Sequence, residues 1–285
     1  MIRPARNAPD LGEIRISLRV SILASGSSGN CTLLETSQTC LLVDAGLGKK
    51  ETLRRLAAAG CSADRLDGIL ISHEHSDHIG GLAALLGKWR STVVYMSAET
   101  HAETLRIFDQ GHAKRLERVE FIEAGRSFRV GDIEVAPFGI PHDAVDPLGF
   151  TFRADGVKLA LVTDLGYMPE LVKHYLRDCD AMVLESNHDL EMLKVGPYPW
   201  HVKQRVMSRT GHLSNETVSA FLADPEGFDG RPRYLVLAHL SEQNNNPYTA
   251  EICAQEALGR REGAAAFTGQ LLIAQQHEPL APIQL

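Results

Sequence analysis

The sequence predicts an α/β or α+β fold in which helices cover central sheets. Short apolar runs that end in turn residues alternate with longer amphipathic stretches, which is typical of strands and helices packed in layers. Hydrophobic residues make up 44 % of the 285 residues, enough to bury a large core. Because no linker, low-complexity tract or change of composition divides the chain, we expect a single domain over residues 16–285.

The first half of the chain predicts short strands separated by helices. Residues 1–15 mix proline, asparagine and charge without periodicity, and predict a loose extension. Strands are expected over residues 16–24, 31–35, 40–43, 66–72, 92–96, 120–122, 127–130 and 132–138, with a polar turn at 25–30. Amphipathic periodicity predicts helices over 49–59, 79–86 and 98–108.

The second half repeats this alternation. Strands are expected over residues 149–153, 158–163, 181–185, 234–238 and 271–274, and helices over 168–177, 200–208, 215–223 and 248–258. Two pairs of segments also resemble each other, Leu41–Gly46 with Ala160–Gly166 and Ile69–His73 with Leu235–His239. Chance explains such short matches as well as duplication does, but both pairs predict that four strand ends converge on one site.

Charge and cysteine usage limit the function classes. The net charge of −7 argues against binding nucleic acid through a generally basic surface, although a local basic groove is compatible with it. The chain contains no apolar signal core and no apolar run of roughly 18 residues, so we expect a soluble protein without a membrane anchor. Five scattered cysteines predict unoxidised thiols in a reducing cytoplasm: Cys31, Cys40, Cys61, Cys179 and Cys253.

The most informative segment is His73–His78, with the sequence His-Glu-His-Ser-Asp-His, after a predicted buried strand. Residues two apart in an extended loop project the same way, so we expect His73 and His75 to bind one metal ion while Asp77 and His78 reach a second. Imidazole and carboxylate groups suit zinc, and also manganese or iron where oxygen ligands dominate. The alternative is a solvated loop that is rich in histidine by chance.

Three further strand ends offer the ligands that two ions would still lack. His142 is expected to join the first two histidines of the segment, and His239 is expected to join its last two residues. Asp164 is expected to bridge both ions through its two carboxylate oxygens. An isolated strand-end histidine also serves as a structural or surface residue, so that alternative stays open for each histidine.

Together these residues resemble the metallo-β-lactamase superfamily of binuclear hydrolases over about residues 16–275. The matching positions in chain order are Asp44, His73, His75, Asp77, His78, His142, Asp164 and His239. The resemblance implies a four-layer αββα sandwich, a hydroxide held between two divalent ions, and Asp44 as a support for a metal ligand or its loop. It does not choose a substrate, because thioesters, lactams, phosphodiesters and oxygen all serve as substrates on this fold.

Longer motifs are similar to those of the WalJ (YycJ) branch, which resembles tRNase Z. They are Ser21–Asn30, Leu184–Asp189, Gly196–Trp200, Gly211–Asn215 and Ala238–Asn245. The branch implies a nuclease that degrades double-stranded DNA from 5′ to 3′, with DNA favoured over RNA. By resemblance to tRNase Z, His212 donates a proton to the departing sugar oxygen, and Glu185 holds its tautomer. The usual start of the branch near Leu18 implies that residues 1–15 come from an overextended gene start.

Alternatives remain for the reaction and for these two residues. An RNA-processing endonuclease of the tRNase Z type and a glyoxalase II-like thioester hydrolase both use the metal motif. His212 has the alternative of capping or packing against the helix after Ser214, and Glu185 that of a surface carboxylate. The sequence does not distinguish a monomer from a homodimer.

Other residues are candidates for binding substrate. Ser25, Ser27 and Asn30 belong to a turn that either holds a phosphate or simply connects two strands. Asn187 lies in a branch motif beside His188, which either lines the pocket or faces solvent. A further set either lines a groove that follows a nucleic acid strand or forms a solvated helix face: Lys194, Lys203, Arg205 and Arg209, interleaved with Tyr198 and Trp200.

Overall fold

Two seven-stranded sheets form the centre of the protein in a computed structural model, which describes residues 18–61, 66–263 and 266–285. The strands of the first sheet are β1 (Arg19–Ala24), β2 (Cys31–Glu35), β3 (Cys40–Val43), β4 (Gly68–Leu70), β5 (Val93–Met96), β6 (Val119–Phe121) and β14 (Ile283–Gln284). Their order is β14-β1-β2-β3-β4-β5-β6, and β3 to β6 are parallel.

The second sheet has a matching arrangement. Its strands are β7 (Phe128–Val130), β8 (Ile133–Gly139), β9 (Leu148–Ala154), β10 (Val157–Val162), β11 (Ala181–Glu185), β12 (Tyr234–Ala238) and β13 (Gln270–Ile273). Their order is β13-β12-β11-β10-β9-β8-β7, and β10 to β13 are parallel. The carboxyl ends of the parallel strands share one edge within each sheet, which is where such folds commonly bind ligands.

The described helices are α1 (Lys49–Ala58), α2 (Ser76–Ile79), α3 (Leu82–Leu86), α4 (Ala98–Ile107), α5 (Gln110–Ala113), α6 (Glu170–Leu176), α7 (Leu190–Val195), α8 (Trp200–Val206), α9 (Asn215–Ala223) and α10 (Pro247–Gly259). Several of them cover the outer faces of the two sheets. Leu56 of α1 and Leu82 of α3 pack on the first sheet, and Val172 of α6 and Phe221 of α9 pack on the second. This arrangement confirms the four-layer αββα sandwich.

Strict alternation along the strands explains why two sheets can share one core. Leu41 and Val43 of β3 point into the layer between the sheets, while Leu42 faces the helices. In β11, Val183 points into the same central layer, while Leu184 faces the opposite helix layer. Because successive side chains of a strand project to opposite faces, continuous apolar runs bury both faces of each sheet.

Several predicted elements differ in the structure. The helix predicted over residues 79–86 is instead α2 and α3, separated at Gly80 and Gly81. A side chain at Gly81 would meet the carbonyl oxygen of Leu47, so the loop after β3 approaches too closely for a continuous helix of larger residues. The sequence patterns did not predict α5, α7 or β14.

Some predictions lie outside the described residues. They are the loose extension over residues 1–15 and the first two residues of the strand predicted over 16–24. None of the five cysteines forms a disulfide, although the Sγ atoms of Cys40 and Cys61 lie 3.8 Å apart. Within the described part of the chain, no helix is both long and apolar enough to cross a membrane.

Candidate metal centre and active site

The loop that follows β4 brings several imidazole rings together. The chain passes through His73 and His75 and then turns into α2, which contains Asp77 and His78. His73 and His78 are both fully buried, and their ring centroids lie 4.0 Å apart. The short helix therefore places the second half of the motif beside the first.

Three histidines form one group of potential ligands. The nearest ring nitrogens of His73, His75 and His142 lie within 4.8 Å of one another. Nδ1 of His142 donates a hydrogen bond to the carbonyl oxygen of Gly211 at 3.2 Å. Its Nε2 lies 3.2 Å from Nδ1 of His75. The hydrogen bond to Gly211 fixes the proton on Nδ1, which leaves Nε2 as the atom that faces the group.

A second group lies beside the first. Oδ2 of Asp77 lies 3.3 Å from Nε2 of His78 and 3.5 Å from Nε2 of His239. Asp164 lies between the groups, with Oδ1 3.7 Å from Nε2 of His142 and Oδ2 3.4 Å from Nε2 of His78. The structure thus brings together all seven residues that the sequence indicated as metal ligands.

Two atoms of this cluster point to a cation. Nε2 of His73 and Oδ2 of Asp164 are buried and have no hydrogen-bond partner among the described residues. An unpaired buried polar atom costs about 1–3 kcal/mol, so two of them in one cluster fit a site built for a metal. Burial lowers the pKa of His73 well below its usual value, which keeps the imidazole neutral, as ligation requires.

Three residues at strand ends share an uncommon backbone conformation. Asp44, Asp164 and His239 have positive φ angles of 59°, 64° and 55°, and each lies within two residues of the end of a parallel strand. Aspartate and histidine tolerate this left-handed region better than branched residues do. Asp44 and Asp164 occupy matching places in the two similar sequence segments, so those segments end in the same kind of turn.

Asp44 contacts the side of the His78 ring that carries Nδ1. Its carboxylate accepts hydrogen bonds from the backbone N–H and the hydroxyl of Ser72, both at 2.9 Å. It also accepts one from Nδ1 of His78 at 2.8 Å. This contact keeps the proton of His78 on Nδ1 and directs Nε2 toward Asp77 and Asp164.

Glu185, at the end of β11, is fully buried beside the cluster, so the surface-carboxylate alternative is wrong. Oε2 accepts hydrogen bonds from the backbone N–H groups of Leu165 and Leu213 at 2.8 and 3.0 Å. Oε1 accepts from Nδ1 of both His212 and His239, each at 2.8 Å. Burial raises the pKa of Glu185, but the two imidazoles outweigh burial and lower that pKa to about 2.

His212 lies at the open side of the cluster, with 20 % of its side chain exposed. Its ring centroid is 5.1 Å from that of His142 and 5.3 Å from that of His239. Burial lowers its pKa, but Glu185 and Asp164 raise it above the usual value. The helix cap is Ser214, whose hydroxyl accepts from an N–H in α9, so the capping alternative for His212 is wrong.

The polar turn between β1 and β2 forms hydrogen bonds to residues of the metal cluster. Oγ of Ser25 accepts from the backbone N–H of His239, and Nδ2 of Asn30 donates to Oδ2 of Asp77 at 3.1 Å. The backbone N–H groups of residues 25, 26, 28, 29 and 30 are all bonded within the protein. These five N–H groups are therefore not free to hold a phosphate. The side chain of Ser27 is exposed in the turn.

Asn187 and His188 also lie beside this site. Nδ2 of Asn187 donates to the carbonyl oxygen of His239 at 2.9 Å, which fixes the strand end that presents His239. His188 is buried, so the solvent-facing alternative is wrong. Burial lowers the pKa of His188 to about 4, and the ring is neutral at physiological pH.

The fold and this arrangement agree with the comparisons to known proteins. A family model described as the beta-lactamase superfamily domain matches residues 39–240, which contain all seven clustered residues. The chain belongs to this superfamily. Within the superfamily it also belongs to the YycJ/WalJ branch. Exodeoxyribonuclease YycJ of Bacillus anthracis is 38 % identical over 243 residues, covering 85 % of this chain and 90 % of that protein.

Other relatives agree with this placement. Exodeoxyribonuclease WalJ of Streptococcus pneumoniae serotype 2 is 39 % identical over 235 residues, covering 81 % of this chain and 84 % of that protein. A ribonuclease Z of Mycolicibacterium paratuberculosis is 37 % identical over only 83 residues, 26 % of this chain and 29 % of that protein. The crystal structure of YhfI from Bacillus subtilis matches with a TM-score of 0.67 at 14 % identity, covering 92 % and 99 % of the two chains, which shows the shared fold.

Two residues at the mouth of the site, Asp143 and Arg205, lie outside the predicted ligand and catalytic residues. Asp143 directly follows His142, and its Oδ1 lies 3.4 Å from Nε2 of that histidine. Its Oδ2 accepts a hydrogen bond from Nε of Arg205, which belongs to α8. Adjacency to His142 was the signal in the sequence that could have identified Asp143.

The predicted set of basic residues separates into two kinds. Lys203 is buried and donates to the carbonyl oxygen of Lys194, so it does not line a groove. Lys194 forms an exposed ion pair with Glu191. Cζ of Arg209 lies 4.1 Å from the ring centroid of Tyr167, a residue of the segment that follows β10 and Asp164. Lys203 is therefore excluded from a groove, while Lys194, Arg205 and Arg209 remain exposed.

Proposed function

We propose that this protein is a metal-dependent exodeoxyribonuclease that degrades double-stranded DNA from 5′ to 3′. The observation that carries the proposal is the contact between Glu185 and His212, 2.8 Å apart, beside a cluster of metal-ligand side chains. The names of the relatives YycJ and WalJ support it, because they describe exodeoxyribonucleases and the matches cover 84–90 % of those proteins.

The proposed ligands follow the two groups described above. His73, His75 and His142 would hold one divalent ion, Asp77, His78 and His239 a second, and Asp164 would contact both. Imidazole and carboxylate donors suit zinc and manganese, and iron is compatible with the same set. Bound divalent ions would lower the pKa of a coordinated water and neutralise the oxygens of a phosphodiester.

The protein's own groups would act on the leaving oxygen. Glu185 accepts a hydrogen bond from Nδ1 of His212, and Glu185 and Asp164 raise the pKa of the ring above its usual value, which favours the imidazolium form. In that form Nε2 also carries a proton, which it would give to the departing sugar alkoxide, leaving a neutral ring with its proton on Nδ1. Two backbone N–H groups hold the carboxylate of Glu185, which keeps the imidazole in one orientation. A thioesterase has less need for this pair, because its thiolate leaving group is far less basic than an alkoxide.

The state of the cysteines bears on the cellular compartment in which we propose that the protein acts. The five cysteines lack disulfides and are spread over the fold, which suits a reducing compartment, and we place the protein in the cytoplasm on that basis.

A panel of substrates tests the proposed reaction. Purified protein with Mn²⁺ or Zn²⁺ would be incubated with duplex DNA labelled at either end, with single-stranded DNA, with a 3′-extended tRNA and with a glutathione thioester. We expect a 5′ label on duplex DNA to be released first as a mononucleotide. Cleavage of the tRNA alone would assign an RNA endonuclease, and thioester turnover without phosphodiester cleavage would contradict the nuclease proposal.

A further inference from the structure

Arg205 lies at the mouth of the metal cluster. Its Nε donates a hydrogen bond to Oδ2 of Asp143. The other oxygen of Asp143 lies 3.4 Å from Nε2 of His142 and 3.9 Å from Nε2 of His75. One carboxylate therefore separates the guanidinium group from the three-histidine group.

The rest of this guanidinium group is available to a ligand. The side chain of Arg205 is 61 % exposed, and among the described residues its only hydrogen bond is the one from Nε to Asp143. The two terminal nitrogens can therefore donate to a ligand in a fixed fork, which matches the spacing of two phosphate oxygens. Asp143 limits the rotamers of the arginine, so little conformational entropy would be lost on binding.

Stability of the fold does not account for the position of this pair. The arginine of this pair lies largely in solvent, where screening of its charge and the ordering of its long side chain leave an ion pair little net contribution to folding. The net charge of −7 makes a polyanion bind only where positive charge is locally concentrated. Arg209, four residues further along the chain, adds a second positive charge to the segment that ends at the proposed proton donor, His212.

We infer that Arg205, oriented by Asp143, binds a phosphate of the substrate strand next to the phosphodiester that is hydrolysed. The inference rests on the proposed function and adds a contact that positions the strand. A contact of this kind reads no base and strengthens binding to any sequence.

Steady-state kinetics on duplex DNA at several salt concentrations test the inference. Arg205→Ala should raise KM roughly tenfold, with a smaller effect on kcat, and should reduce the dependence of log KM on log salt by about one unit. Arg205→Lys should keep the wild-type salt dependence and raise KM less than Arg205→Ala does, because lysine retains the positive charge but lacks the pair of terminal guanidinium nitrogens. The matched control is Arg231→Ala, since Arg231 is similarly exposed, at 67 %, and also pairs with an aspartate, Asp178, near the amino end of β12.

Wild-type cleavage of duplex DNA establishes the proposed function independently of Arg205. If Arg205→Ala then shows the KM and salt dependence of Arg231→Ala, the phosphate contact is wrong while the nuclease assignment stands. A fall in kcat at unchanged KM would also overturn the inference, because Arg205 would then act through Asp143 on the histidines and not on the substrate strand.

Discussion

Oε1 of Glu185 lies 2.8 Å from Nδ1 of His239, and the same oxygen lies 2.8 Å from Nδ1 of His212. One carboxylate oxygen therefore orients a proposed metal ligand and the proposed proton donor together. The other oxygen is held by the N–H groups of Leu165 and Leu213, so the carboxylate cannot shift toward one imidazole without losing a backbone contact. We therefore expect metal binding and proton transfer to be linked through this buried residue.

Removing the charge of Glu185 should affect both roles. Glu185→Gln keeps the size of the side chain, but its amide cannot accept the same four hydrogen bonds. We expect kcat on duplex DNA to fall roughly 100- to 10,000-fold and metal affinity to fall roughly 10- to 100-fold. Kinetics and metal analysis by mass spectrometry would check this. A variant with normal metal content and normal kcat would show that the linkage does not exist.

His212 should matter most when the leaving group is basic. In His212→Ala, hydrolysis of duplex DNA should slow by roughly 100-fold or more, because the sugar alkoxide loses its proton donor. Hydrolysis of bis-p-nitrophenyl phosphate should slow much less, because nitrophenolate leaves without protonation. Equal losses on both substrates would mean that His212 does not act on the leaving group. The metal content of the variant should equal that of the wild type, which separates it from Glu185→Gln.

Asp44 should control metal affinity through His78. Asp44→Asn keeps the left-handed conformation at φ 59°, since asparagine adopts it readily, but it weakens the acceptor for Nδ1 of His78. We expect metal affinity to fall roughly 10- to 100-fold with little change in the fold. Competition titration with a coloured chelator would measure it. Unchanged affinity would show that the contact between Asp44 and His78 does not tune the site.

Removing metal should destabilise the protein. Without a cation, Nε2 of His73 and Oδ2 of Asp164 are buried with no hydrogen-bond partner in the described part of the chain. A ligand at about 100 times its Kd stabilises the folded state by about 2.7 kcal/mol, which corresponds to a fall of about 5–10 °C in unfolding temperature when EDTA removes it. Calorimetry of wild type and His73→Ala would compare the two, and the variant should show a smaller fall. An EDTA effect of the same size in both proteins would exclude His73 as a ligand.

The sequence predicted the layers and the position of the cluster for physical reasons. Continuous apolar runs must be buried on both faces, which predicted the layers. Asp164 and His239 were expected near His73 because two ions need more ligands than residues 73–78 offer, and because their strands resemble those that end at Asp44 and His73. The apolar pattern of the sequence could not show that one carboxylate contacts two histidines. That Glu185 contacts both His212 and His239 depends on the distance between β11 and the loop before α9, which no local periodicity encodes.

The remaining errors came from contacts between distant segments. Apolar periodicity alone predicted one helix over residues 79–86, whereas close packing of Gly81 against the loop at Leu47 ends one helix and begins another. The strand β14 has two residues and depends on pairing with β1, so it carries no pattern of its own. The sequence left open whether His188 lines the pocket or faces solvent, because its burial depends on the bridge between residues 188 and 214 and not on its neighbours in sequence.

The metal-dependent mechanism is tested most directly by the rate at which purified protein with Mn²⁺ or Zn²⁺ degrades end-labelled duplex DNA, compared among the wild type, His73→Ala and His212→Ala. We expect the wild type to release mononucleotides from 5′ ends, His73→Ala to have no measurable activity, and His212→Ala to retain about 1 % or less. Degradation by His73→Ala at the wild-type rate would contradict the metal-dependent mechanism.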